Sequence, residues 1–262
     1  MPLTTFQATL ASMLAINRSP DSYLAGGAAI HLQPNTTRYS NDLDFFQDSV
    51  ERVASAFAQD SARLAAVGYT VEISINQPGY IRAFVQKDEE RTKVEWAHDS
   101  AWRFLPPIVD AVVGYRLHPL DLATNKILAL VGRNEPRDFI DILYFHRTTL
   151  SLGAICWAAV GKDPGFTPLS LLEMLRRRGV YRPEDFSRLH LVGPVNIVGQ
   201  KTEWLHALDS AERFIRSRPP TQMGCLYYSP REKIFVEPTG AADDDSVPHF
   251  GRPGGVLPHV EE

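Results

Sequence analysis

The sequence is poor in cysteine, with 2 among its 262 residues, Cys156 and Cys225. The two cysteines are far apart and lack a metal-binding spacing, and no histidines have the i, i+4 spacing of a zinc site. This argues against a disulfide framework of the kind found in small secreted proteins. It favours reduced thiols in a cytoplasmic protein.

Long hydrophobic runs are also missing. No stretch approaches the roughly 20 uninterrupted apolar residues that a membrane-spanning helix needs. The first 17 residues have no basic run before their apolar stretch, so we expect no signal peptide. Cytoplasmic localisation without membrane contact is the expectation.

The sequence also lacks a strong excess of charge of one sign. The 27 basic and 31 acidic residues give a net charge of −4. This balance argues against a broad surface that coats nucleic acid, although a local basic groove remains open. The hydrophobic fraction of 44% is enough for a sizeable core in one large domain or two smaller ones.

Hydrophobic periodicity indicates helices and strands in an α+β order. The first half alternates the two kinds of element and predicts a mixed β-sheet core with helices, over residues 1–115. Residues 116–217 read as a mostly helical domain. Residues 218–262 are rich in proline, glycine and acid, and predict one hairpin followed by a poorly structured tail. The predicted helices are residues 3–17, 28–32, 49–67, 119–132, 136–147, 151–160, 168–178 and 201–217. The predicted strands are residues 23–25, 42–46, 70–75, 80–85 and 92–97, with the hairpin at 225–236.

Two carboxylates, Asp42 and Asp44, interleave with Leu43 and Phe45 in one predicted strand. Side chains at i and i+2 of a strand project from the same face, with Cβ atoms about 6–7 Å apart. Both carboxylates can therefore reach one hard cation such as Mg²⁺ or Mn²⁺. Alone, such a pair is more often the solvent-exposed face of an edge strand.

A glycine turn, Gly26-Gly27, precedes this strand and leads into a short predicted helix. Backbone N–H groups at such a turn can bind phosphate oxygens. A glycine pair usually marks only a turn. Together with Asp42 and Asp44, however, it fits phosphoryl or nucleotidyl transfer on a bound metal.

These motifs resemble the AbiEii/AbiGii toxin family, nucleotidyltransferases of the DNA polymerase β superfamily that occur in toxin–antitoxin or abortive-infection pairs. The resemblance covers roughly residues 20–147 and rests on an ordered set of motifs. The matching stretches are residues 24–29 (LAGGAA), 38–46 (RYSNDLDFF), 125–129 (NKILA) and 137–141 (RDFID). Many superfamily members have Gly-Ser where this chain has Gly26-Gly27.

The resemblance implies a third carboxylate on a later strand, and Glu95 stands at the matching position. Glutamate is one methylene longer than the usual aspartate, yet it can bind the same metal. Asp99 and Glu72 remain rivals. Glu95 could also be an exposed strand residue paired with Lys93 or Arg91.

Further site residues follow from the resemblance. Lys126 lies beside an apolar helix stripe, where a lysine normally extends to solvent; the family instead implies contact with nucleotide phosphates. Asp141 would pair with Lys126 and orient it. Ser40 shares the strand face of Asp42 and is expected to bind phosphate or a metal-bound water. Arg38 would either do likewise or brace the loop.

The implied function is Mg²⁺- or Mn²⁺-dependent transfer of a nucleoside monophosphate from an NTP to an acceptor hydroxyl. The helical domain at 116–217 would close the active-site cleft. The family makes tRNA a plausible acceptor and a cognate antitoxin a plausible protein partner. Two alternatives stay open: a non-catalytic nucleotide-binding or interaction module on the same fold, and a kinase that uses the same cleft.

Overall fold

The structure is a computed structural model, and it describes residues 3–32, 36–194, 196–240 and 244–259. The chain forms two compact units. The first comprises Met1–Ala101, Pro106–His118 and His190–Val192. The second comprises Trp102–Leu105, Pro119–Leu189 and Gly193–Glu262. No helix of the described ranges is long and apolar enough to cross a membrane.

The elements alternate early in the chain and become mostly helical after residue 118. The helices are α1 Thr5–Leu14, α2 Gly26–Ile30, α3 Val50–Ala66, α4 Pro119–Arg133, α5 Pro136–Thr148, α6 Leu152–Lys162, α7 Pro168–Arg176 and α8 Ile197–Ser217. The strands are β1 Ser22–Ala25, β2 Asp42–Gln47, β3 Thr70–Gln77, β4 Tyr80–Lys87, β5 Glu90–His98, β6 Trp102–Arg103, β7 Ile108–Asp110, β8 Gly114–Arg116, β9 Cys225–Ser229, β10 Ile234–Val236, β11 Val247–Phe250 and β12 Arg252–Pro253.

A seven-stranded mixed sheet forms the centre of the first unit, in the order β3-β4-β5-β2-β1-β8-β7. Its middle strand β2 pairs antiparallel with β1 and parallel with β5. Strands β3, β4 and β5 form an antiparallel meander, as short turns between successive strands dictate. Because β2 and β5 are parallel neighbours, corresponding residues of two distant chain segments lie side by side.

Strand alternation gives the middle of the sheet two different faces. One face carries Leu43 and Phe45 of β2 with Val94 and Trp96 of β5, all fully buried. Helix α3 packs on this face, and its Phe57 ring meets the Trp96 ring edge-on at 5.1 Å between centroids. The residues between these apolar positions necessarily point to the opposite face.

A buried ion pair fixes α3 to the sheet. Arg18 Nη2 lies 2.5 and 2.6 Å from the two carboxylate oxygens of Asp60, which also accepts the indole N–H of Trp96 at 2.7 Å. Burial lowers the pKa of Arg18, partly offset by the charge of Asp60 and its hydrogen bond. An arginine so close to a carboxylate remains charged, and the network sets the position of β5 relative to α3.

The second unit contains helices α4–α8 and two small sheets. Strands β10, β9 and β11 form a three-stranded antiparallel sheet, and β12 pairs with β6. The carboxylate of Asp121, in the first turn of α4, accepts the backbone N–H groups of Phe104 and Leu105 at 2.7 and 3.1 Å. This contact ties residues 102–105 to the helices of the unit.

The predicted α+β class, with a mixed sheet followed by a mostly helical region, is confirmed. Some details differ: α2 begins at Gly26 instead of residue 28, and α8 begins at Ile197. Strands β6, β7 and β8 were not predicted. Strands β11 and β12 of the proline- and glycine-rich tail were also missed, because their order comes from pairing with β9 and β6. Residues 241–243 and 260–262 of that tail lie outside the described residues.

Candidate active site

Three carboxylates meet on the sheet face opposite α3. Asp42 and Asp44 lie at alternate positions of β2, and the parallel register places Glu95 of β5 beside Asp44. One oxygen from each of the three lies within 4.8 Å of the others. Asp42 is buried, whereas Asp44 and Glu95 are partly exposed. The predicted shared face of Asp42 and Asp44 is present, and Glu95 completes an acidic triad.

The Gly26-Gly27 turn lies next to the Asp44 carboxylate of this triad. Strand β1 ends at Ala25, which pairs with Asp44, and the chain then enters α2 at Gly26 with φ +60°. A Cβ atom on Gly27 would lie 2.8 Å from Arg38 Nη2 and 3.0 Å from Ser40 Oγ. The absence of side chains at 26 and 27 therefore makes room for the charged and polar groups around them.

Ser40 and Arg38 are both buried next to the turn. The Ser40 hydroxyl lies 3.0 Å from the Asp42 carbonyl oxygen and 3.3 Å from Asp42 Oδ1, so it helps fix the orientation of that carboxylate. Arg38 Nη1 donates to the carbonyl of Tyr39 at 3.1 Å. Both residues thus lie next to Gly27, and Ser40 precedes β2, which begins at Asp42, instead of sharing that strand as predicted.

Two basic residues contact the triad: Lys93, which the sequence offered only as an ion-pair partner of Glu95, and Arg82, which it did not single out. Lys93 of β5 lies beside Asp42, and its Nζ is 2.8 Å from Asp42 Oδ2 and 2.9 Å from Glu95 Oε1. Arg82 of β4 reaches the same Glu95 oxygen at 2.9 Å. Burial alone would lower the pKa of Lys93, but hydrogen bonds and charge from Asp42 and Glu95 raise it above its ordinary value. Lys93 is therefore a firmly protonated ammonium.

The rivals of Glu95 lie elsewhere. Glu72 projects from the edge strand β3, is exposed, and forms an ion pair with Arg91 at 2.9 Å. Asp99 follows the end of β5 and accepts the backbone N–H of Ser100 at 2.9 Å. Neither belongs to the close group of three acids, so the geometry favours Glu95.

Lys126 lies in the second unit and does not extend freely into solvent. Its Nζ is 3.0 Å from both Asp138 Oδ1 and Asp141 Oδ2, two carboxylates with no exposed side-chain surface. Asp138 has a second cationic partner in Arg133, whose Nε lies 2.6 Å from Asp138 Oδ2. Burial alone would raise the pKa of Asp138, but Arg133 and Lys126 together lower it. The predicted pairing of Lys126 with Asp141 is present, and Asp138 shares it.

The triad fits a hard divalent cation. Carboxylate oxygens are the ligands that Mg²⁺ and Mn²⁺ prefer, and these three lie within 4.8 Å of one another, close enough for one ion to be shared. Three negative charges at this distance need compensation, because like charges repel strongly in a partly buried site. Lys93 and Arg82 supply part of it.

A mixed sheet with two aspartates at alternate positions of one strand and a third acid on the parallel neighbour defines a nucleotidyltransferase-type domain. Residues 10–217 match the family of nucleotidyl transferase AbiEii toxins of type IV toxin–antitoxin systems. The chain therefore belongs to this family, and the match is longer than the motif-based resemblance at 20–147. The protein is thus a nucleotidyltransferase toxin of this type. No curated protein is similar enough in sequence to count as a relative.

Two solved structures align with most of the chain at low sequence identity. MenT4, a nucleotidyltransferase toxin from Mycobacterium tuberculosis H37Rv, is 18% identical with a TM-score of 0.55, over 82% of this chain and 83% of MenT4. JHP933 from Helicobacter pylori is 15% identical with a TM-score of 0.48, over 80% of this chain and 91% of JHP933. At this identity the likeness to MenT4 concerns the fold alone.

Proposed function

We propose that the protein transfers a nucleoside monophosphate from an NTP to an acceptor hydroxyl, with Mg²⁺ or Mn²⁺ bound at the acidic triad. The observation that carries this proposal is the convergence of Asp42, Asp44 and Glu95 within 4.8 Å on one sheet face. The adjoining glycine turn supports it, because Gly26 lies against Asp44, and Arg38 and Ser40 converge on Gly27.

Each triad member has a role in this proposal. Asp42 and Asp44 hold the cation, which would neutralise charge that develops on the phosphate oxygens. Glu95 completes the set and helps to accept the proton of the attacking hydroxyl. The acceptor oxygen forms a bond to the α-phosphorus, the bond from that phosphorus to the bridging oxygen breaks, and pyrophosphate leaves with the electron pair.

Phosphate binding falls to the groups around the turn and to one lysine. Backbone N–H groups of Gly26 and Gly27 are suited to phosphate oxygens. Arg38 and Ser40, which converge on Gly27, offer a guanidinium and a hydroxyl for the same purpose. Lys126 is the proposed lysine for the triphosphate, with Asp138 and Asp141 fixing its ammonium.

The acceptor that we propose is tRNA, and the proposed protein partner is a cognate antitoxin. Both rest on membership of the AbiEii family. With a net charge of −4, the protein is better suited to bind RNA at a local site than along a broad basic surface.

The direct test is incubation of the purified protein with each NTP, Mg²⁺ and total RNA, with parallel samples labelled on the α- or the γ-phosphate. Transfer of the α label to RNA, with a preference for one NTP, is the expected result. Transfer of the γ label would identify a kinase instead. NTP binding without transfer of either label to RNA, or to protein and small-molecule acceptors added in parallel samples, would identify a non-catalytic binding module.

Matched variants make the test specific to the triad. Asp42→Asn combined with Asp44→Asn should abolish α-label transfer. Glu72→Gln removes an exposed carboxylate of the same unit and should leave transfer unchanged. Equal activity of the double variant and the unchanged protein would refute the two-aspartate site.

A further inference from the structure

Lys93 and the triad form a compact square of four charged side chains. Lys93 and Glu95 lie at alternate positions of β5, and the register places them beside Asp42 and Asp44 of β2. All four project from the same face of the sheet, since each pair is two residues apart. One corner of an otherwise acidic group is therefore a lysine.

The ammonium of Lys93 bridges two of the three acids. It contacts one oxygen of Asp42 and one oxygen of Glu95, at 2.8 and 2.9 Å. The lysine side chain is 27% exposed, so most of its stem is packed and the ammonium is confined near these oxygens. A second divalent ion bridging the same two carboxylates would need the place that Nζ occupies.

We propose that Lys93 is a built-in cation of this site, which takes the place of one of two divalent ions, so that the protein without nucleotide binds a single Mg²⁺ or Mn²⁺. This inference rests on the proposed metal site at Asp42, Asp44 and Glu95.

Charge balance supports the single ion. The three carboxylates carry three negative charges, which one divalent ion and Lys93 neutralise together. A second divalent ion beside Lys93 would leave two positive charges in excess, against one where residue 93 is neutral, and Arg82 on Glu95 adds one charge in either case. In a partly buried site such an excess is strongly unfavourable. Lys93 is accordingly a positioning residue, which sets how many ions the three acids accept and where.

The test counts Mn²⁺ ions bound to the full chain without nucleotide, from the loss of the free-ion electron paramagnetic resonance signal. The unchanged protein should saturate at one Mn²⁺ per chain. Lys93→Met, which keeps the apolar stem and removes the charge, should saturate at two over the same concentration range. Lys93→Gln is a second neutral variant with the same expected count, and thermal melts identify which of the two is folded.

Two controls isolate the charge at this corner. Lys93→Arg keeps a cation and should keep a count of one. Lys87→Met removes a lysine of the same unit that instead contacts the Val67 carbonyl and the Tyr69 ring, and it should also keep a count of one. The Asp42→Asn and Asp44→Asn double variant should bind no ion.

The outcomes separate this inference from the proposed function. One ion in both the unchanged protein and the folded neutral variants would overturn the role of Lys93 and leave the metal site intact. Two ions in the unchanged protein would also overturn the role of Lys93 and leave the metal site intact. No ion in any variant, or equal binding by the double aspartate variant, would overturn the metal site and the inference with it.

Discussion

Gly26 lies against the carboxylate of Asp44. A Cβ atom on Gly26 would be 1.9 Å from Asp44 Oδ2, and the glycine has φ +60°. The turn and the triad are therefore one structural unit: the backbone that would approach the phosphates can take this path only because residue 26 has no side chain.

Gly26→Ala should consequently damage the metal site itself. The added methyl group must displace the Asp44 carboxylate, so we expect calorimetry to show loss of Mn²⁺ binding. The backbone conformation adds a stability cost of about 1–2 kcal/mol. Gly68→Ala is the matched control, since Gly68 also has a positive φ of +83° but nothing lies within 4 Å of its added Cβ. It should lose similar stability and bind Mn²⁺ normally; equal loss of Mn²⁺ binding by both variants would contradict the argument.

Glu95→Gln separates chemistry from binding. The amide can still accept hydrogen bonds from Lys93 and Arg82, but it cannot take up a proton as a carboxylate does. We expect the transfer rate to fall by at least about 100-fold, the lower range for a general base, while NTP affinity changes only a few-fold. Single-turnover assays and NTP titrations measure the two quantities. Glu95→Asp should retain measurable transfer, and undiminished transfer by Glu95→Gln would exclude Glu95 as the proton acceptor.

Lys126→Ala should reduce both NTP binding and stability. Asp138 and Asp141 are fully buried, and removal of the ammonium leaves Asp141 without that partner and Asp138 with Arg133 as its cation. Breaking a buried pair on one side costs on the order of 3 kcal/mol. Chemical denaturation measures this cost, with Lys201→Ala on the exposed side of α8 as the control. An unchanged unfolding free energy would mean that the two ion pairs contribute nothing.

Asp121 should make the second unit pH-sensitive. Burial raises its pKa from 3.8 to about 6, although backbone hydrogen bonds from Phe104 and Leu105 act in the opposite direction. The folded state therefore binds this proton more tightly than the unfolded state, and the contribution to stability falls as pH rises from about 4 to 6, by about 3 kcal/mol.

The measurement is the unfolding free energy of the unchanged protein and of Asp121→Asn between pH 4 and 7. Asparagine does not titrate in this range, so the stability of the unchanged protein relative to the variant should decline through the window. The subtraction removes other titrating groups such as His249, whose pKa burial lowers. A constant difference would show that Asp121 has an ordinary pKa in the folded protein.

Sequence patterns predicted the helices, the strands β1–β5 and the local half of the site, and missed the short strands β6, β7, β8, β11 and β12. Period-two alternation placed Asp42 and Asp44 on one face, because side-chain direction in a strand is a local property. The same logic puts Lys93 and Glu95 on one face of β5. What it could not give is which strand pairs with β2, and therefore that Lys93 lies beside Asp42.

Sequence by itself thus determined the acidic pair and the glycine turn, which depend on residues close together in the chain. It also determined the α+β class and the family, which depend on the order of elements and motifs along the chain. Only the tertiary structure decided that Glu95, and neither Glu72 nor Asp99, joins the pair, and that Lys93 and Arg82 share its oxygens. It also decided that Lys126 is buried and that Asp138 shares its ammonium, which the sequence had paired with Asp141 alone. These are contacts between distant segments, fixed by strand register and helix packing, and no local pattern encodes them.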